Sequence, residues 1–131
     1  MNITKIMSAK IVTVEMDDTL HVVKEIFDHS HFHHLLVVEN YKLAGVISDR
    51  DLFRSISPYV ETVAETARDA ATLKKRVHQI MTRKAITLTP DATVADAIHT
   101  FNSNNISCIP IVDENNKPVG IVSWRDILKH L

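Results

Sequence analysis

The chain holds only two glycines, and each opens a copy of one phrase. The first copy reads Gly45-Val46-Ile47-Ser48-Asp49-Arg50-Asp51-Leu52, the second Gly120-Ile121-Val122-Ser123-Trp124-Arg125-Asp126-Ile127. Gly, Ser, Arg and Asp return at identical spacing, and only Asp49 and Trp124 differ in kind. A residue this scarce, used twice in one context, marks an internal duplication. A duplication constrains the fold to two like units, each too small to bury its apolar face alone.

A shift of 74 positions lays Met7 on Met81, Thr13 on Thr87, Thr19 on Thr93 and Phe27 on Phe101. One extra residue near Asn115-Asn116 then brings Gly45 onto Gly120 at a shift of 75. The repeats run over residues 6–54 and 80–129. In each, a short β-branched run (residues 11–14 and 85–88) reads as a strand. Thr19 and Thr93 read as helix N-caps. Val94, Ala97, Ile98 and Phe101 then follow at the spacing of one helix face, as do Leu20, Val23 and Phe27. Two apolar strands joined by a polar turn follow in each repeat, and the phrase leads into a closing helix. The order β-α-β-β-α, twice, is an α+β fold with the repeats expected to pack about a pseudo-twofold axis. The expected layout is repeat 1 over 1–58, a connecting segment over 59–79 and repeat 2 over 80–131. Val60, Val63, Ala64, Ala67 and Ala71 keep helical spacing, so that segment is expected to be one helix with an Ala-rich contact side.

With 131 residues, a 45% hydrophobic fraction and a 24% charged fraction, the chain has the composition of a globular domain. The net charge of −1, with both signs interspersed, gives no electrostatic case for nucleic acid. Cys108 is the only cysteine, so no internal disulfide forms and a reducing cytoplasm is expected. No signal-peptide pattern opens the chain and no apolar run approaches ~20 residues, so no membrane association is expected.

Ser-x-x-Asp at a helix start has two readings. It is a capping box, in which both side chains satisfy orphan backbone N–H groups. It is also a place where a carboxylate can accept hydrogen bonds from paired sugar hydroxyls, with an arginine nearby to attract phosphate. Position favours the second: each copy stands at the carboxyl end of a strand, where ligands commonly sit in α/β-type layers. Scarce glycine points to close approach of backbone or ligand.

These twin repeats, each ending in G-h-h-S-x-R-D-h, resemble a tandem pair of cystathionine-β-synthase (CBS) domains, a Bateman module. The second repeat is nearest the usual pattern, with residues 106–113 reading Ile-Ser-Cys-Ile-Pro-Ile-Val-Asp. The resemblance covers nearly all of the chain outside the connecting segment and leaves no room there for a catalytic domain. It implies two clefts between the repeats that bind adenosine derivatives: AMP, ADP, ATP or S-adenosylmethionine. It implies that Asp51 with Ser48, and Asp126 with Ser123, hold the ribose. Base contacts would come from Ile86, Ile106 and Ser107 beside Asp51, and from Val12, Phe32 and His33 beside Asp126. Phosphate contacts would come from His33 and His34, with Arg50 and Arg125 as further candidates. A homodimer is implied, and a regulated partner protein would read the bound state. Leu36 stands where the usual proline would fall, and Ser107-Cys108 where a basic pair often sits, so the two clefts are expected to be unequal.

His29, His31, His33 and His34 cluster before the first hairpin, but no cysteine or carboxylate joins them at ligand spacing, and no metal site is expected. There is no P-loop, no G-x-S-x-G and no nucleophile–base pair, so an enzyme is not expected. The alternative to a ligand sensor is a structural or dimerisation module in which the Ser and Asp pairs serve only as caps.

Overall fold

The computed structural model describes residues 1–131, which form two compact units. One holds the first phrase and comprises Thr13–Glu39 and Ala44–Arg83. The other holds the second phrase and comprises Met1–Val12, Asn40–Leu43 and Lys84–Leu131.

In the first-phrase unit, β1 (Thr13–Glu15) leads into α1 (Leu20–Asp28), which Thr19 caps by accepting the Val22 N–H. Next come β2 (His34–Glu39), β3 (Lys42–Ser48) and α2 (Asp49–Ser55). The unit closes with three short elements, α3 (Ala67–Ala71), α4 (Val77–Ile80) and β4 (Thr82–Arg83). The sheet order is β1-β2-β3-β4. β1 runs parallel to β2 with Val14 opposite Val37, and β3 runs antiparallel to β4 with Gly45 opposite Arg83. Leu35, Leu36, Val37 and Val38 are all buried, as suits a strand covered on both faces. Two residues, Asn40 (φ 53°) and Tyr41 (φ 68°), join β2 to β3, the left-handed pair that a type I′ hairpin requires.

In the second-phrase unit, Thr93 caps α5 (Val94–Ser103) through a full capping box with Asp96. The Thr93 N–H and hydroxyl hold the Asp96 carboxyl below the usual carboxylate range. β5 (Cys108–Val112) and β6 (Pro118–Ser123) pair antiparallel, and α6 (Trp124–Lys129) follows directly. Ile3, Ile6, Ala97, Phe101, Ile109, Ile111, Val122 and Ile127 are buried together as the core of this unit.

Each unit takes in the segment that leads into the other repeat. The Met1–Met7 stretch precedes repeat 1 in the chain yet lies in the second-phrase unit, while its counterpart at residues 75–81 lies in the first-phrase unit. The contacts repeat bond for bond. The Ile3 N–H donates to Ala92 O (2.8 Å), as Val77 N–H donates to Asp18 O (2.9 Å). The Val94 N–H donates to Met1 O (2.9 Å), as Leu20 N–H donates to Lys75 O (2.9 Å). Ser8 then bridges Ile121 in antiparallel fashion, as Thr82 pairs with Val46.

The glycines are required by this exchange. A Cβ on Gly45 would stand 2.6 Å from the Thr82 carbonyl oxygen and 3.0 Å from Met81 Sδ. A Cβ on Gly120 would stand 2.5 Å from Met7 Sδ. Neither glycine has a positive φ, so close approach alone explains both. The open choice between backbone and ligand resolves to protein: a methionine and a strand edge press on each phrase.

Two sequence expectations need correction. The connecting segment is not one helix. Turns occupy residues 58–64, and only Ala67–Ala71 is α-helical before a 3₁₀ turn at Thr72–Lys74. Pro58 fixes the first turn, and Glu61 sits at φ 61°, a left-handed conformation no helix continues through. Thr66 and Asp69 then form a capping box, so helix can begin only at Ala67. The Ser57 hydroxyl and the Thr66 N–H hold the Asp69 carboxyl below its usual range. Val60 is buried, but Val63, Ala64, Ala67 and Ala71 are exposed, so there is no Ala-rich contact side. Residues 85–88 likewise form no strand of their own; Leu88 makes a single parallel bridge to Ile111. No helix is long and apolar enough to cross a membrane.

Overpacking costs about 1–3 kcal/mol, and more where backbone must yield than where a side-chain end can swing away. Gly45→Ala should therefore destabilise by about 2–3 kcal/mol and Gly120→Ala by about 1 kcal/mol, read by urea unfolding. Equal costs would mean that the Thr82 carbonyl does not resist. A left-handed non-glycine residue costs roughly 1 kcal/mol, and the Tyr41 side chain is 81% exposed. Tyr41→Gly should raise stability by roughly 0.5–1 kcal/mol in the same assay, and a loss would show that the Tyr41 ring packs in solution.

Candidate functional site

Each phrase ends at a helix start, and both helix starts are complete capping boxes. The Ser48 N–H donates to Asp51 Oδ2 (2.9 Å) and the Asp51 N–H donates to Ser48 Oγ (3.0 Å). The Ser123 N–H donates to Asp126 Oδ2 (2.8 Å) and the Asp126 N–H donates to Ser123 Oγ (3.3 Å). The Ser123 hydroxyl also donates to the same Oδ2 (3.1 Å). Every hydrogen bond that either carboxylate accepts enters through Oδ2. Each Oδ1 remains an acceptor on a half-buried side chain, held in fixed orientation by its cap. A carboxylate so oriented accepts from a hydroxyl donor with little ordering cost. The cap and ligand readings are thus compatible geometrically, since they use different oxygens.

The surroundings of the two phrases differ. In the first-phrase unit, the His33 Nδ1 lies 2.9 Å from Asp49 Oδ2, and the Asp49 N–H donates to the His33 carbonyl (3.0 Å). These two bonds fasten the entry of β2 to the first turn of α2, so His33 stands beside the Ser48–Asp51 pair. Phe32 and His34 flank it and are half-buried. Arg50 is exposed and makes no ion pair. Asp49 is the functional neighbour that sequence reasoning left without a role. Its difference in kind from Trp124 was the available signal.

In the second-phrase unit, Trp124 occupies the slot of Asp49 and packs on Phe101 of α5, with ring centroids 4.7 Å apart and planes at 32°. Arg125 is exposed and unpaired. Val12 and Ile106 are half-buried in this unit, Ile106 against its core, and Ile86 is 37% exposed. Ser107 is exposed and hydrogen-bonded or otherwise engaged. The structure therefore brings His33 together with Ser48, Asp49 and Asp51, and places Val12, Ile86, Ile106 and Ser107 in the unit that carries Ser123 and Asp126.

The histidine cluster at residues 29–34 brings no three ligand atoms together. A different group does converge: His21, Glu25 and Glu61 have ligand atoms within 4.8 Å of one another, all three exposed. His21 and Glu61 border an open groove of about 380 Å³ shared with Thr19, Glu65, Ala70, Leu73 and Lys74. Lys24 donates to Asp28 and to Glu61 (2.9 Å), which raises its own pKa, and His29 Nε2 lies 3.3 Å from Glu25 Oε2.

The sequence pattern of the CBS domain matches residues 3–58 and 77–131. An uncharacterized protein of Methanocaldococcus jannaschii, MJ1232, is 34% identical over 117 residues, covering 89% of this chain and 35% of that protein. The crystal structure of protein MJ1225 from the same organism superposes with a TM-score of 0.83 at 28% identity, over 100% of this chain and 50% of that one. The chain thus spans a third to a half of these two relatives. The CBS domain pair of protein MJ0100, crystallised with 5′-methylthioadenosine and S-adenosyl-L-methionine, superposes with a TM-score of 0.81 at 27% identity, over 99% of this chain and 98% of that one. Two matched repeats, two exchanged segments and two Ser–Asp phrases place this chain in the CBS domain family, as a CBS domain pair.

Proposed function

We propose that the chain is a regulatory module that binds adenosine-containing ligands, AMP, ADP, ATP or S-adenosylmethionine, through its two Ser–Asp phrases. The observation that carries this reading is the pair of half-buried carboxylates whose caps use Oδ2 and leave Oδ1 outside the cap's hydrogen bonds. The complex of the MJ0100 pair with two adenosyl compounds supports the ligand class. Asp51 with Ser48, and Asp126 with Ser123, hold the ribose. Ile86, Ile106 and Ser107, with Val12, Phe32 and His33, contact the base, while His33, His34, Arg50 and Arg125 meet phosphate where the ligand carries it. Regulation follows by linkage: a ligand that binds one conformation better shifts the population toward it and alters the surface offered to a partner protein. The module does no chemistry of its own in this reading, and a reducing cytoplasm suits its single buried thiol.

A homodimer belongs to the same proposal. Phe53 on α2 is 63% exposed and Leu128 on α6 is 62% exposed, at equivalent positions in the two repeats. A second reading, a dimerisation module whose Ser and Asp residues only cap, draws on the completeness of both capping boxes.

Calorimetric titration with AMP, ATP and S-adenosylmethionine separates the two readings. A charge-assisted hydrogen bond is worth about 1.5–3 kcal/mol, so Asp51→Ala and Asp126→Ala should each weaken one site by at least ~10-fold. Saturating ligand at ~100 times its Kd should add about 2.7 kcal/mol of stability. No heat with any of the three, or affinities untouched by both substitutions, would leave the capping module standing.

A further inference from the structure

The two phrases repeat in every charged position except one, and that exception sits against a side chain expected to meet phosphate. Asp49, Arg50 and Asp51 put two negative charges and one positive charge into the first turn of α2. Trp124, Arg125 and Asp126 put one of each into the first turn of α6. A phosphate tethered to a ribose on Asp51 lies one sugar ring away, within the ~8 Å over which exposed charges still interact at physiological salt.

The Asp49 carboxylate also takes up the one histidine that could compensate. With Asp49 Oδ2 at 2.9 Å from Nδ1, the neutral His33 ring carries its proton on Nδ1 and donates it to the carboxylate. Its Nε2 then offers only a lone pair, which repels a phosphate oxygen. A doubly protonated ring has its charge already balanced by Asp49. In the other unit, the slot of Asp49 holds an indole packed on Phe101, and Arg125 is exposed with no acid engaging it.

We infer that the Ser48–Asp51 site selects adenosine compounds whose 5′ substituent is neutral or cationic, a thioether or a sulfonium, and disfavours 5′-phosphates, whereas the Ser123–Asp126 site accepts phosphate. This rests on the reading that Asp51 holds ribose, and it deepens that reading by assigning ligand classes to sites. Asp49 is the specificity determinant, acting by its own charge and through His33.

The test uses the full chain carrying Asp126→Ala, which leaves the first site as the binder, titrated with 5′-methylthioadenosine and with AMP. The expected result is 5′-methylthioadenosine at least ~10-fold tighter than AMP. Adding Asp49→Asn, which keeps the Ser48–Asp51 box and is checked for folding by circular dichroism, should narrow that ratio by ~10-fold. His33→Ala in the Asp49→Asn background should then remove part of the gain in AMP binding, the part that the released imidazole supplies, and leave the part due to the lost carboxylate charge. Equal affinities for the two probes, or a ratio that Asp49→Asn does not move, would overturn the inference while leaving an adenosyl site in place. Binding by the wild type but not by the Asp126→Ala chain would also overturn it, with the proposed function surviving at the second site. No binding by the wild type sinks both.

Discussion

The contact between a glycine and a methionine from the segment that leads into the other repeat is the constraint on which both units depend. Met81 lies on Gly45 and Met7 on Gly120, each so close that a methyl group at the glycine would collide. The methionines arrive there because the stretch that leads into each repeat is built into the unit of the other. A swap of this kind makes each unit depend on chain that is remote in sequence. Removing residues 75–83 would strip the first-phrase unit of β4 and of the bonds made by Lys75 and Val77. Removing residues 1–8 would strip the second-phrase unit of Ile3, Ile6 and the Ser8 bridge to Ile121. The methionine is a fitting residue for the contact, since an unbranched thioether fills an irregular gap with little strain.

The same exchange positions the phrases. β3 is held on its outer side by β4, and β6 is held by the Ser8 segment, so the strand that ends at Ser48 or Ser123 has a fixed edge. The strand stops where the capping box starts, and the box holds the aspartate through Oδ2 and leaves Oδ1 outside its hydrogen bonds. Fold and proposed function therefore share one side chain without competing for one oxygen. A purely structural cap needs only the first of these, and the Thr93–Asp96 box elsewhere in the chain does that work without a preceding glycine or an arginine between its two capping residues.

Much of this was legible in the residues because duplication doubles every signal. Thr19 and Thr93 cap as their positions suggest, the hairpins fall where polar turns stand, and the phrases sit at strand ends. The misses share a physical cause. The connecting segment has helical spacing but is broken by Pro58 and by Glu61 in a left-handed conformation, and its Thr66–Asp69 box restarts the helix late. Periodicity registers apolar spacing and is blind to a cap inside the pattern. The exchange of leading segments was invisible for a different reason: it pairs residues from 36 positions apart (Val46 with Thr82) to 113 apart (Ser8 with Ile121), and no local pattern encodes which unit an end joins. Its trace was nonetheless present, in the alignment of Met7 with Met81 at the same shift as the rest of the repeat.

Duplication also explains where divergence can occur. Gly45 and Gly120 are pinned by methionine, Ser48 and Ser123 by the cap, and Leu52 and Ile127 by burial. The slot after the serine is tied to none of these, because the box is closed by the serine and the aspartate alone. One repeat can place an acid there and the other an indole at no cost to either fold. Asp49 gains a histidine partner and Trp124 a phenylalanine, so each choice is stabilised by its own unit. A pair of repeats locked at every other position of the phrase thus keeps one free position beside each proposed ribose carboxylate. That position sets the local charge, and charge is what separates a nucleoside thioether from a nucleotide.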